Sequence, residues 1–185
     1  MEINSGNVGR IAERIAMNEL EARGFHIIDL AYMSKTSANV DFIASKAGRS
    51  FNIQVKGMSW NGMARARVQY GHCNDAMIDG RASVFNRSSN FALIADVIVL
   101  LAVRSPSQYR AIVMPVDVAE QAAQLNMDGY HRKEKIKGGK RKPSKIWTDL
   151  EGAATPRTAN PIKDAERAHL KPFEDKWDTL GGAVA

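Results

Sequence analysis

Cysteine is almost missing: Cys73 is the only one in 185 residues. A lone thiol forms no internal disulfide and no zinc knuckle, so a reducing compartment is expected. Long hydrophobic runs are missing too. The most apolar stretch, residues 91–103, is 13 residues long and includes Asp96. That is too short for a membrane span and suits a buried strand. The opening MEINSGNVGR has none of the apolar length of a secretory signal, so a cytoplasmic protein without membrane contact is expected. Aromatic residues are sparse at 7%, but 44% of the chain is hydrophobic and 25% charged, enough for one ordinary domain or a domain plus a tail.

Negative charge is in short supply, with 20 Asp and Glu against 26 Lys and Arg, a formal net charge of +6. The excess is local. Residues 131–145, HRKEKIKGGKRKPSK, hold eight Lys/Arg and one Glu, and the remainder of the chain nets −1. An anionic partner is implied, nucleic acid first, with Lys140, Arg141 and Lys142 as phosphate clamps. Solvated charge is the plain alternative for such a run. Arg65 and Arg67, alternating in the stretch 63–68, are a second place where DNA could be reached.

Apolar periodicity changes several times along the chain. Val8, Ile11, Ala12, Ile15, Ala16 and Leu20 keep the spacing of one helical face, and Gly24 is a natural stop. Three strands are expected next: residues 25–33, then Val40, Phe42 and Ala44 around Asp41, then Phe51, Ile53 and Val55 alternating with Asn52, Gln54 and Lys56. The last two are joined by a Gly-containing link of hairpin length. Residues 57–90 read as loops with one short helix near Asp75. Strands are expected over 93–103 and 109–114, and a capping-box helix runs from Asp117 to about Leu125. These elements make an α/β domain over residues 1–150, whose basic loop is 131–145. A linker follows at 151–162, then a helical tail at 163–185 that docks on the domain or on a partner chain. Within that tail Phe173, Trp177 and Leu180 have helical spacing after Pro172, and form a candidate interface.

Chemistry is concentrated before residue 57. Gln54 and Lys56 are two apart on one strand and so leave the same face, with Ile53 and Val55 toward the core. Asp41 meets Gln54 across the hairpin if the turn lies near Ala47 and Gly48. Glu13, at the border of the first helix's apolar face, could be aimed at the strand carrying Asp41. Two carboxylates, an amide oxygen and an ammonium suit a hard divalent cation, which takes oxygen ligands and stabilises charge on a phosphodiester. A neighbouring lysine can orient the attacking water, donate to the phosphate or act as base.

The stretches Gly9-Arg10-Ile11-Ala12-Glu13, Asn39-Val40-Asp41-Phe42-Ile43-Ala44 and Phe51-Asn52-Ile53-Gln54-Val55-Lys56-Gly57 together resemble the PD-(D/E)XK nuclease superfamily. They look like its branch with Gln at the second acidic position, as in some group I intron homing endonucleases and bacterial and phage relatives. The resemblance implies a restriction-endonuclease-like αβββαβ core, a central mixed β-sheet flanked by helices. It also implies Mg2+ (or Mn2+) held by Asp41, the Gln54 side-chain oxygen and the Val55 carbonyl, a supporting metal or water contact from Glu13, and Lys56 as catalytic lysine. Asn39-Val40 stands where the family has Pro before Asp41. Gln54 in place of an acid removes one negative charge and weakens the metal site. The expected function is a metal-dependent DNA endonuclease acting as a homo-oligomer, dimer or tetramer. The alternative is a catalytically inactive nuclease-fold protein that only binds nucleic acid.

Overall fold

Helix α1 spans Val8–Ala22, and its buried residues Val8, Ala12, Ile15, Ala16 and Leu20 follow the helical period. It ends where the alternation says it should: Gly24, at φ 81°, donates to the Glu21 carbonyl and Phe25 donates to that of Leu20. This is the paired hydrogen-bond closure that a left-handed residue after a helix permits, and Phe25 and Leu20 join the same core. The computed structural model describes residues 7–30, 40–60, 65–69, 77–78, 81–82, 95–133, 145–149 and 161–180.

The chain divides into two units, one made of Met1–Gly62, Ser89–Val116 and Phe173–Ala185, the other of Met63–Ser88 and Asp117–Pro172. The first unit holds a five-stranded mixed sheet. Strand β1 (His26–Asp29) is at one edge beside β2 (Phe42–Lys46), and β3 (Arg49–Ser59) is at the centre. The β2–β3 hairpin turns at Ala47 and Gly48, both at positive φ, the combination whose twist suits a two-residue turn. Phe42 therefore faces Ile53, and Ala44 faces Phe51.

The other two strands of this sheet are β7 (Val97–Ser105) and β8 (Gln108–Pro115). Strand β7 runs parallel to β3, with Val55 beside Val99, and antiparallel to β8. Every residue from Val97 to Val103 is buried, as the continuous apolar run requires. Helix α1 packs on the face carrying Ile53, Val55, Val99 and Leu101. Asp96, odd inside an apolar run, stands exposed just before β7. Its carboxylate accepts the Asn52 backbone N–H at 2.8 Å, fastening the start of β7 to β3.

In the second unit, β4 (Arg65–Gln69) pairs antiparallel with β9 (Lys145–Asp149). Strands β5 (Met77–Ile78) and β6 (Arg81–Ala82) form a small hairpin, and the helix expected near Asp75 lies outside the described residues. Helix α2 (Val116–Lys133) runs past Leu125, because Gly129 weakens a helix by about 1 kcal/mol without ending it. Helix α3 (Pro161–Leu170) stops before Pro172, whose ring disfavours helical backbone in the residue preceding it. The single tail helix expected through Phe173, Trp177 and Leu180 is not formed, because the backbone leaves the helical region between Phe173 and Trp177. Residues Lys171–Phe173 and Trp177–Leu180 are two short 3-10 turns, separated by Asp175 at φ 51°. Trp177 and Leu180 are buried in the core beside α1, so they are spent within the chain and are not free for a partner. Among the described residues no helix is long and apolar enough to cross a membrane.

Candidate active site

Asp41 occupies a bend immediately before β2. Its backbone N–H donates to the Ile53 carbonyl at 2.8 Å, and its carboxylate Oδ2 accepts the Val55 N–H at 2.6 Å. The acid is thus fixed to β3 from both main chain and side chain, one strand away from Gln54 and Lys56. The Val55 carbonyl leaves β3 on the same edge as the N–H that reaches Asp41, since the two groups of one residue point the same way in extended backbone.

Gln54 and Lys56 lie on the face of β3 away from α1. Gln54 is buried, 7% exposed, and Lys56 is half-buried. A wet outer face would have left Gln54 in solvent, so its amide sits in an enclosed setting. Glu13 comes from α1, one residue after the buried Ala12, and is half-buried. Gly57 explains how the helix comes so near. A Cβ there would lie 2.6 Å from the Ala12 Cβ and 2.9 Å from the Val8 carbonyl oxygen. Only the absence of a side chain lets the first turns of α1 rest on β3 beside Lys56.

The electrostatics tie these groups together. Burial pushes the Glu13 carboxyl above its ordinary range, the charges of Asp41 and Asp29 push it further, and Arg10 and Lys56 pull it back. Asp41 is also raised, chiefly by burial and in part by Asp29, against the lowering effect of the Val55 hydrogen bond and of Lys56. The structure therefore brings Glu13, Asp41 and Lys56 within electrostatic reach, next to Gln54 and Val55. A cation would relieve the two raised carboxylates, and that is the fit of this donor set to a divalent metal. Among the described residues, no three His, Cys, Asp or Glu side chains converge closely enough to hold a metal. Any ion here would depend on two carboxylates at most, with the Gln54 amide oxygen and the Val55 carbonyl.

Asp29 is the participant that sequence reasoning missed. It ends β1 opposite Phe42, and its Oδ2 is 4.0 Å from Arg14 Nη2 on α1. The signal was present in His-Ile-Ile-Asp, where alternation puts Asp29 on the same face as Ile27, which packs against the core. Arg65 and Arg67 are on β4, in the other unit. Lys140, Arg141 and Lys142 lie outside the described residues.

No protein-family model matches the chain, and no curated protein matches it in sequence. Among solved structures, the bacterial homing endonuclease I-Ssp6803I aligns over 96% of this chain and 91% of its own, with a TM-score of 0.50 and 15% sequence identity. At that identity the likeness is one of fold. The chain has an α/β fold built on a mixed five-stranded sheet.

Proposed function

We propose that this chain is a divalent-metal-dependent DNA endonuclease that hydrolyses phosphodiester bonds. The observation that carries the reading is Asp41 anchored on Val55 with Glu13 and Lys56 in electrostatic reach, in a fold shared with a homing endonuclease. Asp41, the Gln54 amide oxygen and the Val55 carbonyl would hold Mg2+ or Mn2+, with Glu13 supporting. Bound there, the ion supplies charge stabilisation at the phosphate and a more acidic water. Glu13 and Asp41 keep their negative charge on one side of the reacting phosphate and accept protons from water there. Lys56, on the same strand face as Gln54, holds the attacking water and donates to a non-bridging phosphate oxygen, offsetting the charge that builds up. Cutting both strands of a duplex needs two such sites, which favours a homo-oligomer.

A second reading, binding without cutting, has Gln54 in its favour: a neutral amide stands where a third ligand charge would help. Supercoiled plasmid incubated with Mg2+ or Mn2+ decides between them. The nuclease reading expects nicked or linear product from the wild type and none from Asp41→Ala or Lys56→Ala. Identical behaviour of all three proteins removes the catalytic assignment.

A further inference from the structure

Strands β4 and β9 form a two-stranded antiparallel ribbon in which Arg65 stands opposite Asp149, Arg67 opposite Trp147 and Gln69 opposite Lys145. Directly opposed residues share a face and successive residues alternate, so these six occupy one side of the ribbon. Ala66, Val68, Ile146 and Thr148 occupy the other. The two sides differ in kind. One carries three cations, an amide and an indole against a single carboxylate, and the other is apolar except for one hydroxyl. Helix α3 lies against β9 within the same unit. The charge is also uneven along the ribbon. Asp149 is the register partner of Arg65, so the positive excess falls at the end bearing Arg67, Gln69 and Lys145.

We infer that this ribbon reads base sequence in duplex DNA, with Arg67, Gln69 and Lys145 addressed to base edges in the major groove. The inference rests on the nuclease reading for the identity of the partner. The B-form major groove, about 12 Å wide, admits a two-stranded ribbon. The residue types suit base readout, since Arg and Lys match the acceptor pair of guanine, and Gln matches the donor and acceptor of adenine. Duplex RNA is refused by the same geometry, because its major groove is too narrow for side chains to read.

The test is selection by binding from a pool of DNA duplexes with a randomised centre, with Ca2+ in place of Mg2+ so that nothing is cut. The wild type is expected to enrich a base pattern. Arg67→Ala, Gln69→Ala and Lys145→Ala each lose preference at one or two positions and bind the best duplex about tenfold to a hundredfold more weakly. Lys140→Ala is the contrast: it weakens all duplexes alike and lowers the salt slope by about one. Where an alanine variant fails to fold, Arg67→Gln replaces it, moving the preference at its position away from guanine, because an amide matches adenine instead. A wild type with no base preference overturns the inference. So does an unchanged preference in Gln69→Ala and Arg67→Gln, or equal binding to an RNA duplex of the selected sequence. A protein that selects a pattern yet never cuts with Mg2+ supports the ribbon and ends the nuclease reading. One that cuts while its ribbon variants keep the wild-type preference does the reverse.

Discussion

Gly57 and Ala12 stand so close that a methyl on the first would lie 2.6 Å from the Cβ of the second. The Val8 carbonyl and the Gly9 Cα crowd the same place, so backbone as well as side chain would have to shift. Gly57→Ala should therefore lift α1 from β3, at about 1–3 kcal/mol. At roughly 2–4 °C per kcal/mol for a chain of this size, the melting temperature falls by several degrees. The displaced helix carries Glu13, so cleavage should drop further than the stability loss explains. Calorimetry beside plasmid cutting checks both; an unaltered melting temperature removes the close-approach argument.

Glu13 and Asp41 make a second expectation. Their raised values mean that the folded chain binds these protons more tightly than the unfolded chain does. The contribution to stability is thus full below the ordinary carboxylate range and is lost as pH rises through the folded values. At pH about 7 both charges work against folding. Glu13→Gln should raise the melting temperature there, with the gain vanishing near pH 4, while cleavage falls. Melting curves across pH would show a gain at the acid end instead if the sign were wrong.

The relation of Asp41 to Gln54 was legible because it is local. The interval from Asp41 to Gln54 predicts their opposition once the turn falls on Ala47 and Gly48, and the observed register has that turn. Strand β4 was not legible, because its partner comes some eighty residues later: Arg65 pairs with Asp149, and a short Arg-Ala-Arg alternation has no local sign of that distant edge. Asp29 was hidden by its neighbours, an acid in the middle of the strand expected over residues 25–33. The C-terminal error was of another kind. Helical spacing of Phe173, Trp177 and Leu180, with Pro172 suited to a first helical position, pointed to one helix, but the backbone breaks at Asp175, at φ 51°.

Tyr109 donates its hydroxyl hydrogen to Glu19 Oε1, linking β8 to α1, and Arg23 pairs with the same carboxylate while lying 5.6 Å over the Trp177 ring. Burial and Glu19 push the Tyr109 phenol up to about 12. Its contribution is full below the ordinary phenol value near 10 and is lost as pH rises toward the folded value. Denaturant melts should show a fall in stability through this alkaline range that Tyr109→Phe lacks. At neutral pH the variant should be weaker by about 1–2 kcal/mol, for one lost charge-assisted hydrogen bond.

Trp177, 3% exposed in the core with Leu180, tests whether the C-terminal segment serves the fold or an interface. Trp177→Ala should cost about 3–5 kcal/mol, a large share of the stability of an ordinary domain. Arg23 also loses the ring it covers. The expected result is a large drop in the denaturant midpoint at every protein concentration. A drop seen only on dilution would mean that the tryptophan serves an assembly instead.

Gln54→Glu sets burial against metal binding. The side chain is 7% exposed, so a carboxylate there loses most of its hydration and stands near Asp41, itself raised by burial. Without divalent ions the variant should melt below the wild type at neutral pH and recover on acidification as the new acid takes a proton. With Mg2+ the order should narrow or reverse, because an added oxyanion ligand strengthens a hard-cation site. The thermal shift between chelator and saturating Mg2+ should be larger in Gln54→Glu than in the wild type, and absent in Asp41→Ala. Equal shifts in Gln54→Glu and wild type would show that position 54 does not face the ion. A shift that survives in Asp41→Ala would place the ion elsewhere on the chain.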